Sequence, residues 1–123
     1  MLTALDFYRH LHRFPELSNH ETETSAYIVA RLEEMGYQPQ RYGETGVAAD
    51  LIADPMLPWV LLRADMDALP VTENSCVMMP SENVGVMHAC GHDSHVAMLL
   101  GAAQALAGKR LPQNIRFLFQ PAE

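Results

Sequence analysis

Met87-His88-Ala89-Cys90-Gly91-His92-Asp93-Ser94-His95 places three of the chain's six histidines and one of its two cysteines in a single short run. Thiolate, imidazole and carboxylate are the donors that a borderline-soft divalent ion such as zinc accepts. The apolar stretch Val96-Ala97-Met98-Leu99-Leu100 follows at once. The run therefore reads as a loop opening a buried helix, where an ion can be held rigidly and still meet a substrate. Read without an ion, the same residues are satisfied polar groups at a helix start, and the local pattern alone admits both readings. Gly91 between Cys90 and His92 lets the backbone bend so that both side chains face one ion; the other reading is an inert buried cysteine beside a surface histidine. His88 and His95 read as groups beside the site or satisfied in the core rather than as ligands, because ligating imidazoles need partners that fix their orientation. Asp93 either accepts a hydrogen bond from a ligating histidine or caps the helix.

Working outward, the helix runs from about Ser94 to Ala107, with Gly108 placed to end it. Ile115-Arg116-Phe117-Leu118-Phe119 reads as a strand that delivers Gln120-Pro121-Ala122-Glu123 at its carboxyl end. Upstream, residues 68–87 are loop-like, and the apolar runs Val47–Ile52 and Trp59–Leu62 read as strands separated by Asp54-Pro55-Met56-Leu57-Pro58. Residues 37–42, containing Pro39, read as a short edge strand. Leu2–Phe14 is a helix with Leu5, Tyr8 and Leu11 on one face, ended by Pro15. A second helix opens on a capping-box spacing, Ser18 to Glu21, carries the stripe Tyr27, Ile28, Leu32 and Met35, and closes at Gly36. Helices alternating with strands imply an α/β layered fold. Catalytic groups in such folds gather beyond the carboxyl ends of strands. Asp65 and Asp67, the His/Cys run, and Glu123 all fall at strand or helix ends. Asp65 and Asp67 alternate with Ala64 and Met66, so in extended chain both carboxylates face one side; Asp65 also reads as an ordinary solvated acid. Glu123 is placed to act as general base, or is a solvated terminal acid. His10, His12 and His20 read as surface or structural, and the scattered methionines as core filling.

Composition narrows the function classes. Eight basic against 15 acidic residues give a formal net charge of −7, which disfavours nucleic acid and anionic membrane surfaces as partners. No apolar run reaches the length of a membrane span, and the start lacks the pattern of a secretion signal. Cys76 and Cys90 make no disulfide framework, so a reducing cytoplasm is the expected location. A Cys76–Cys90 bridge is the alternative, and it would consume the thiol expected to bind metal.

Four blocks then occur in order: Leu11-His12-Arg13-Phe14-Pro15-Glu16-Leu17-Ser18, Leu62-Arg63-Ala64-Asp65-Met66-Asp67-Ala68-Leu69-Pro70, Met87 to His95, and Phe117-Leu118-Phe119-Gln120-Pro121-Ala122-Glu123. Together they resemble the amidohydrolase branch of the aminoacylase/carboxypeptidase family of dinuclear metallopeptidases, which includes hippurate hydrolases, N-acyl-amino-acid amidohydrolases and auxin-conjugate hydrolases. The resemblance implies a three-layer αβα zinc-exopeptidase-like catalytic domain, of which residues 1–123 are the N-terminal part. It implies that Cys90 bridges two divalent ions, zinc or manganese, and that His92 ligates one of them. Asp67 would lie beside the site and orient a ligand, and Glu123 would be the general base for hydrolysis of an N-acyl amino acid or small peptide by a homo-oligomer. Family members continue with a second, ligating glutamate, later histidine ligands and a lid or dimerisation domain. With Glu123 as its last residue, this chain is expected to be inactive or incomplete alone, with exposed apolar surface and unpaired strand edges. The alternative function is a non-catalytic remnant acting as an oligomerising or metal-binding module.

Overall fold

A computed structural model describes residues 1–74 and 80–123. The cysteine at 76 and the centre of the 68–87 loop lie outside the described residues, and with them the question of a Cys76–Cys90 bridge. Among the described residues, three helices and four strands follow in the order α1 (Ala4–Arg13), α2 (Thr22–Glu34), β1 (Gln40–Tyr42), β2 (Gly46–Leu51), β3 (Trp59–Asp65), α3 (His92–Leu106) and β4 (Asn114–Gln120).

Helix α1 starts on a capping box, with the Thr3 side chain accepting from the Asp6 amide and the Asp6 carboxylate accepting from the Thr3 amide. Its buried face is Phe7, Leu11 and His12, while Leu5 is 53% exposed. Of the expected face, Leu11 is buried and Tyr8 packs partly buried against the core, but Leu5 is exposed and Phe7 is buried in its stead. The cause is tertiary: α1 packs on α3, where a Cβ at Gly101 would sit 3.2 Å from Ala4 Cβ, so that glycine permits the close approach. Helix α2 buries Ile28 and Leu32 as the stripe requires, but the expected capping box does not form. Ser18 turns to Asp67 instead, Glu21 is wholly buried, and the free amides of Glu23 and Thr24 bond to the Glu16 carboxylate. An acid at this positive helix end serves the same purpose as the cap it replaces.

The sheet order is β1-β2-β4-β3. β2 pairs antiparallel with β1 on one side and with β4 on the other, and β3 runs parallel to β4, which requires the crossover that α3 supplies. β3 is longer than its apolar run suggested: it continues to Asp65, which pairs with Gln120. Asp65 thus lies within the strand rather than after it, bonded to Arg63 at 2.6 Å. Ile115, Phe117 and Phe119 of β4 join Val47, Ala49 and Ala64 in one core with the apolar faces of all three helices. The described residues so build a helical layer and the sheet of the αβα arrangement. The opposite sheet face presents Trp59 and Leu61, 45% and 57% exposed, beside the Arg116–Asp50 pair. Among the described residues, β1 and β3 each have a strand partner on one side only. No described helix is long and apolar enough to cross a membrane.

Candidate metal centre

Because β3 and β4 are parallel neighbours, their carboxyl ends open at the same edge, and the chain leaves both strands there. Pairing persists past β3, with the Met66 amide donating to the Gln120 carbonyl at 2.9 Å. Just beyond, Asp67 and Glu123 face the first residue of α3, His92. Gly91 before it has φ +95°, a left-handed conformation that only glycine adopts without strain. That turn sets Cys90 beside His92. The Cys90 sulfur, a ring nitrogen of His92 and a carboxylate oxygen of Glu123 all lie within 4.8 Å of one another.

Asp67 organises this cluster. His92 Nδ1 lies 3.0 Å from Asp67 Oδ1 and 2.9 Å from the Asp67 carbonyl. Both partners are acceptors, so the proton belongs on Nδ1, leaving Nε2 2.8 Å from Glu123 Oε2. The other Asp67 oxygen accepts from Ser18 Oγ at 2.7 Å and from the Glu123 amide at 3.3 Å. Burial pushes the Asp67 carboxyl up, but the Ser18, main-chain and His92 contacts outweigh it and hold the group below the usual carboxylate range. Burial likewise pulls His92 down, and the Asp67 carbonyl together with the charges of Asp67, Glu123 and Asp65 raises it above its ordinary value. His92 is thus an oriented imidazole in an anionic setting.

A sulfur, an imidazole nitrogen and a carboxylate oxygen suit zinc, and a carboxylate on the far ring nitrogen is the usual way a ligating histidine is aimed. The residues present therefore fit a divalent ion. The cysteine is a free, exposed thiol rather than an inert buried one. Of the four residues expected to form the site, Cys90, His92 and Glu123 converge directly, and Asp67 bonds the His92 ring and the Glu123 amide.

The remaining histidines and acids separate clearly. Asp93 does not bond His92: one oxygen takes the Ser94 amide at 2.8 Å and the other faces His12 Nδ1 at 2.7 Å. His12, expected on the surface or in a structural role, is buried, with Nε2 2.8 Å from Glu73. Among the described residues neither ring nitrogen of the buried His88 has a partner, and burial lowers its pKa to about 4. His95 is exposed, and His10 stacks on Tyr27 at 3.8 Å. Local spacing carries no sign of His12, since its partners are 81 and 61 residues away.

Residues 61–123 match the family model of peptidase family M20/M25/M40. The chain is 49% identical over 118 residues to an N-acetyl-L-cysteine deacetylase of Bacillus subtilis, covering 94% of this chain and 28% of the relative. It is 47% identical to an N-acyl-L-amino acid amidohydrolase of Geobacillus stearothermophilus, covering 94% of this chain and 32% of that protein. The chain spans about a third of the length of these curated relatives. Among solved structures, a dinuclear metal-binding peptidase of the M20 family from Bacillus subtilis superposes with a TM-score of 0.92 at 40% identity, over 98% of this chain and 35% of that one. A sheet with parallel β3 and β4, a donor cluster at its carboxyl edge and these matches lead to one assignment: the chain belongs to peptidase family M20/M25/M40.

Proposed function

We propose that residues 1–123 correspond to the N-terminal part of the catalytic domain of a metal-dependent amidohydrolase that cleaves N-acyl amino acids or small peptides. The observation that carries this reading is the Cys90–His92–Glu123 cluster, with all three donor atoms within 4.8 Å and Asp67 behind the histidine. Cys90, as thiolate, and His92, through Nε2, would hold divalent metal, zinc or manganese, within a dinuclear centre. Bound there, such ions would supply Lewis-acid polarisation of the amide carbonyl and of water. Asp67 keeps the His92 proton on Nδ1 and the ring aimed at the centre. The Glu123 side chain is 55% exposed and so open to solvent. Its carboxylate accepts a proton from the water that attacks the carbonyl carbon. It returns the proton to the departing nitrogen as the C–N bond breaks, leaving a carboxylate and a free amine. The named activities of the two bacterial relatives support the N-acyl amino acid substrate class. The reading extends to a homo-oligomer in a reducing cytoplasm, as expected from the family resemblance and from a chain with only two cysteines.

Calorimetric titration with zinc and manganese tests the centre. Binding should be lost in a Cys90→Ser, His92→Ala double variant, and unchanged affinity would remove the metal reading. Two metal ligands, Cys90 and His92, do not complete even one four-coordinate ion, so the 123-residue chain alone should not hydrolyse N-acetyl or N-benzoyl amino acids with either metal added. Turnover that vanishes in Glu123→Gln would overturn that expectation. Metal binding without hydrolysis by the full-length gene product is the outcome that favours a non-catalytic module.

A further inference from the structure

Cys90 is exposed and makes no hydrogen bond among the described residues, so its place in the donor cluster is set by the chain on either side of it. Both sides lead to His12. Downstream, Asp93 follows His92 directly, and its carboxylate links the first turn of α3 to His12 Nδ1 at 2.7 Å. Upstream, His12 Nε2 meets Glu73 at 2.8 Å, and the other Glu73 oxygen accepts from the Ser81 amide. The Ser81 hydroxyl in turn donates to the Val86 carbonyl at 2.7 Å, next to Met87, which is paired with Leu69. Neighbouring residues at the end of α1 fasten the same segment. The Glu82 amide donates to the Arg13 carbonyl at 2.7 Å, the Arg13 and Glu82 side chains pair, and Asn83 Nδ2 donates to the Pro15 carbonyl at 2.6 Å. The last turn of α1 is thus a buckle closed over both approaches to Cys90.

Within that buckle His12 is the member that cannot be replaced by water. Its side chain is 9% exposed, and those of Asp93 and Glu73 are 3% and 6% exposed. Two buried carboxylates facing one another need a cation or donor between them, or they separate. The Arg13–Glu82 pair lies at the surface, where such pairs contribute little.

We propose that His12 is a positioning residue of the Cys90–His92–Glu123 centre, bridging Asp93 and Glu73 so that the segments on both sides of Cys90 are held in place for metal ligation. The proposal rests on the metal reading of that centre. His12 touches no donor atom and acts only through these segments.

Cobalt(II), the coloured stand-in for zinc, tests it on the 123-residue chain. Its affinity and its thiolate-to-cobalt absorption band are recorded for the parent, His12→Gln and Glu73→Gln. The parent should bind with the band present. Each variant, shown folded by circular dichroism at the temperature used, should bind about ten-fold more weakly with a diminished band, in line with losses on removing groups that support ligands. A role confined to stability would lower the unfolding midpoint but leave affinity and band intact in folded molecules. That result, in either folded variant, overturns the proposal while leaving the metal reading standing. A parent that binds no cobalt overturns both. Glu73→Gln keeps the shape of the bridge and serves where His12→Gln does not fold.

Discussion

Glu21 offers the sharpest test of how the site's last segment is held. Its side chain lies wholly buried at the start of α2, where Oε1 accepts from Thr45 Oγ1 at 3.3 Å and Oε2 accepts from the Ala122 amide at 2.9 Å. Ala122 has φ +47°, a left-handed conformation that costs a non-glycine residue about 1–2 kcal/mol, so the turn delivering Glu123 needs a tether. Replacing Glu21 with Ala leaves the Ala122 N–H and the Thr45 O–H without their acceptor. An orphaned donor costs about 1–3 kcal/mol, and the hydroxyl can rotate to another partner, so the amide dominates. The one lost methylene adds about 0.8 kcal/mol, while relief from burying a carboxylate offsets part of the sum. The expected loss is about 1.5–3 kcal/mol. Glu21→Gln retains an acceptor oxygen of the same reach and should lose only about 1 kcal/mol, the charge-assisted share of the bond. With urea slopes of about 1–3 kcal/mol/M, the midpoint should fall by about 1–2 M for the Ala variant and by about 0.5 M for Gln. Equal losses in the two variants would refute the argument, since acceptor geometry would then count for nothing beside the charge. So would an Ala variant within about 0.5 kcal/mol of the parent.

Two further expectations concern the buried histidines. Burial pulls the pKa of His12 down, but its bonds to Asp93 and Glu73 and their charges raise it overall; its stabilising contribution is therefore complete below the unfolded value near 6.5 and is lost as pH rises through the folded value. His92 shifts the same way, so the informative quantity is the gap in urea midpoint between parent and His12→Gln, which should narrow from about pH 5.5 to about pH 9; a gap that stays constant or widens counts against a charged His12. His88, with both ring nitrogens buried and unpartnered among the described residues, should tolerate His88→Leu at neutral pH with little loss or a gain in stability, because no hydrogen bond to those residues is broken and two desolvated polar atoms are removed; a loss above about 2 kcal/mol in thermal unfolding would mean that the ring is partnered.

The run from Met87 to His95 was legible because its geometry is local. Gly91 is the pivot between Cys90 and His92, and a left-handed glycine places adjacent side chains together whatever the rest of the chain does. Asp67 and Glu123 were legible one level up, since short apolar runs mark strands and the residues beyond parallel strands share an edge. Their mutual contacts were not, because they depend on β3 lying beside β4 rather than beside β2. The misreadings have one cause. Ser18 and Glu21 have the spacing of a capping box, yet their side chains bond Asp67 and Ala122, 49 and 101 residues away; a cap worth about 1 kcal/mol yields to buried partners worth more. Leu5 keeps helical spacing with Tyr8 as Phe7 does with Leu11, and only the seat of α1 on α3 buries Phe7 and leaves Leu5 exposed.

By itself, then, the sequence determined the α/β alternation, the donor types and the turn that pairs Cys90 with His92, all properties of residues close in the chain. Only the tertiary structure decided that Asp67 aims the His92 ring, that Glu123 closes the donor cluster, and that His12 bridges Asp93 and Glu73. Those contacts join residues far apart in the chain, and burial, which makes an unpartnered charge or donor costly, is what selects them.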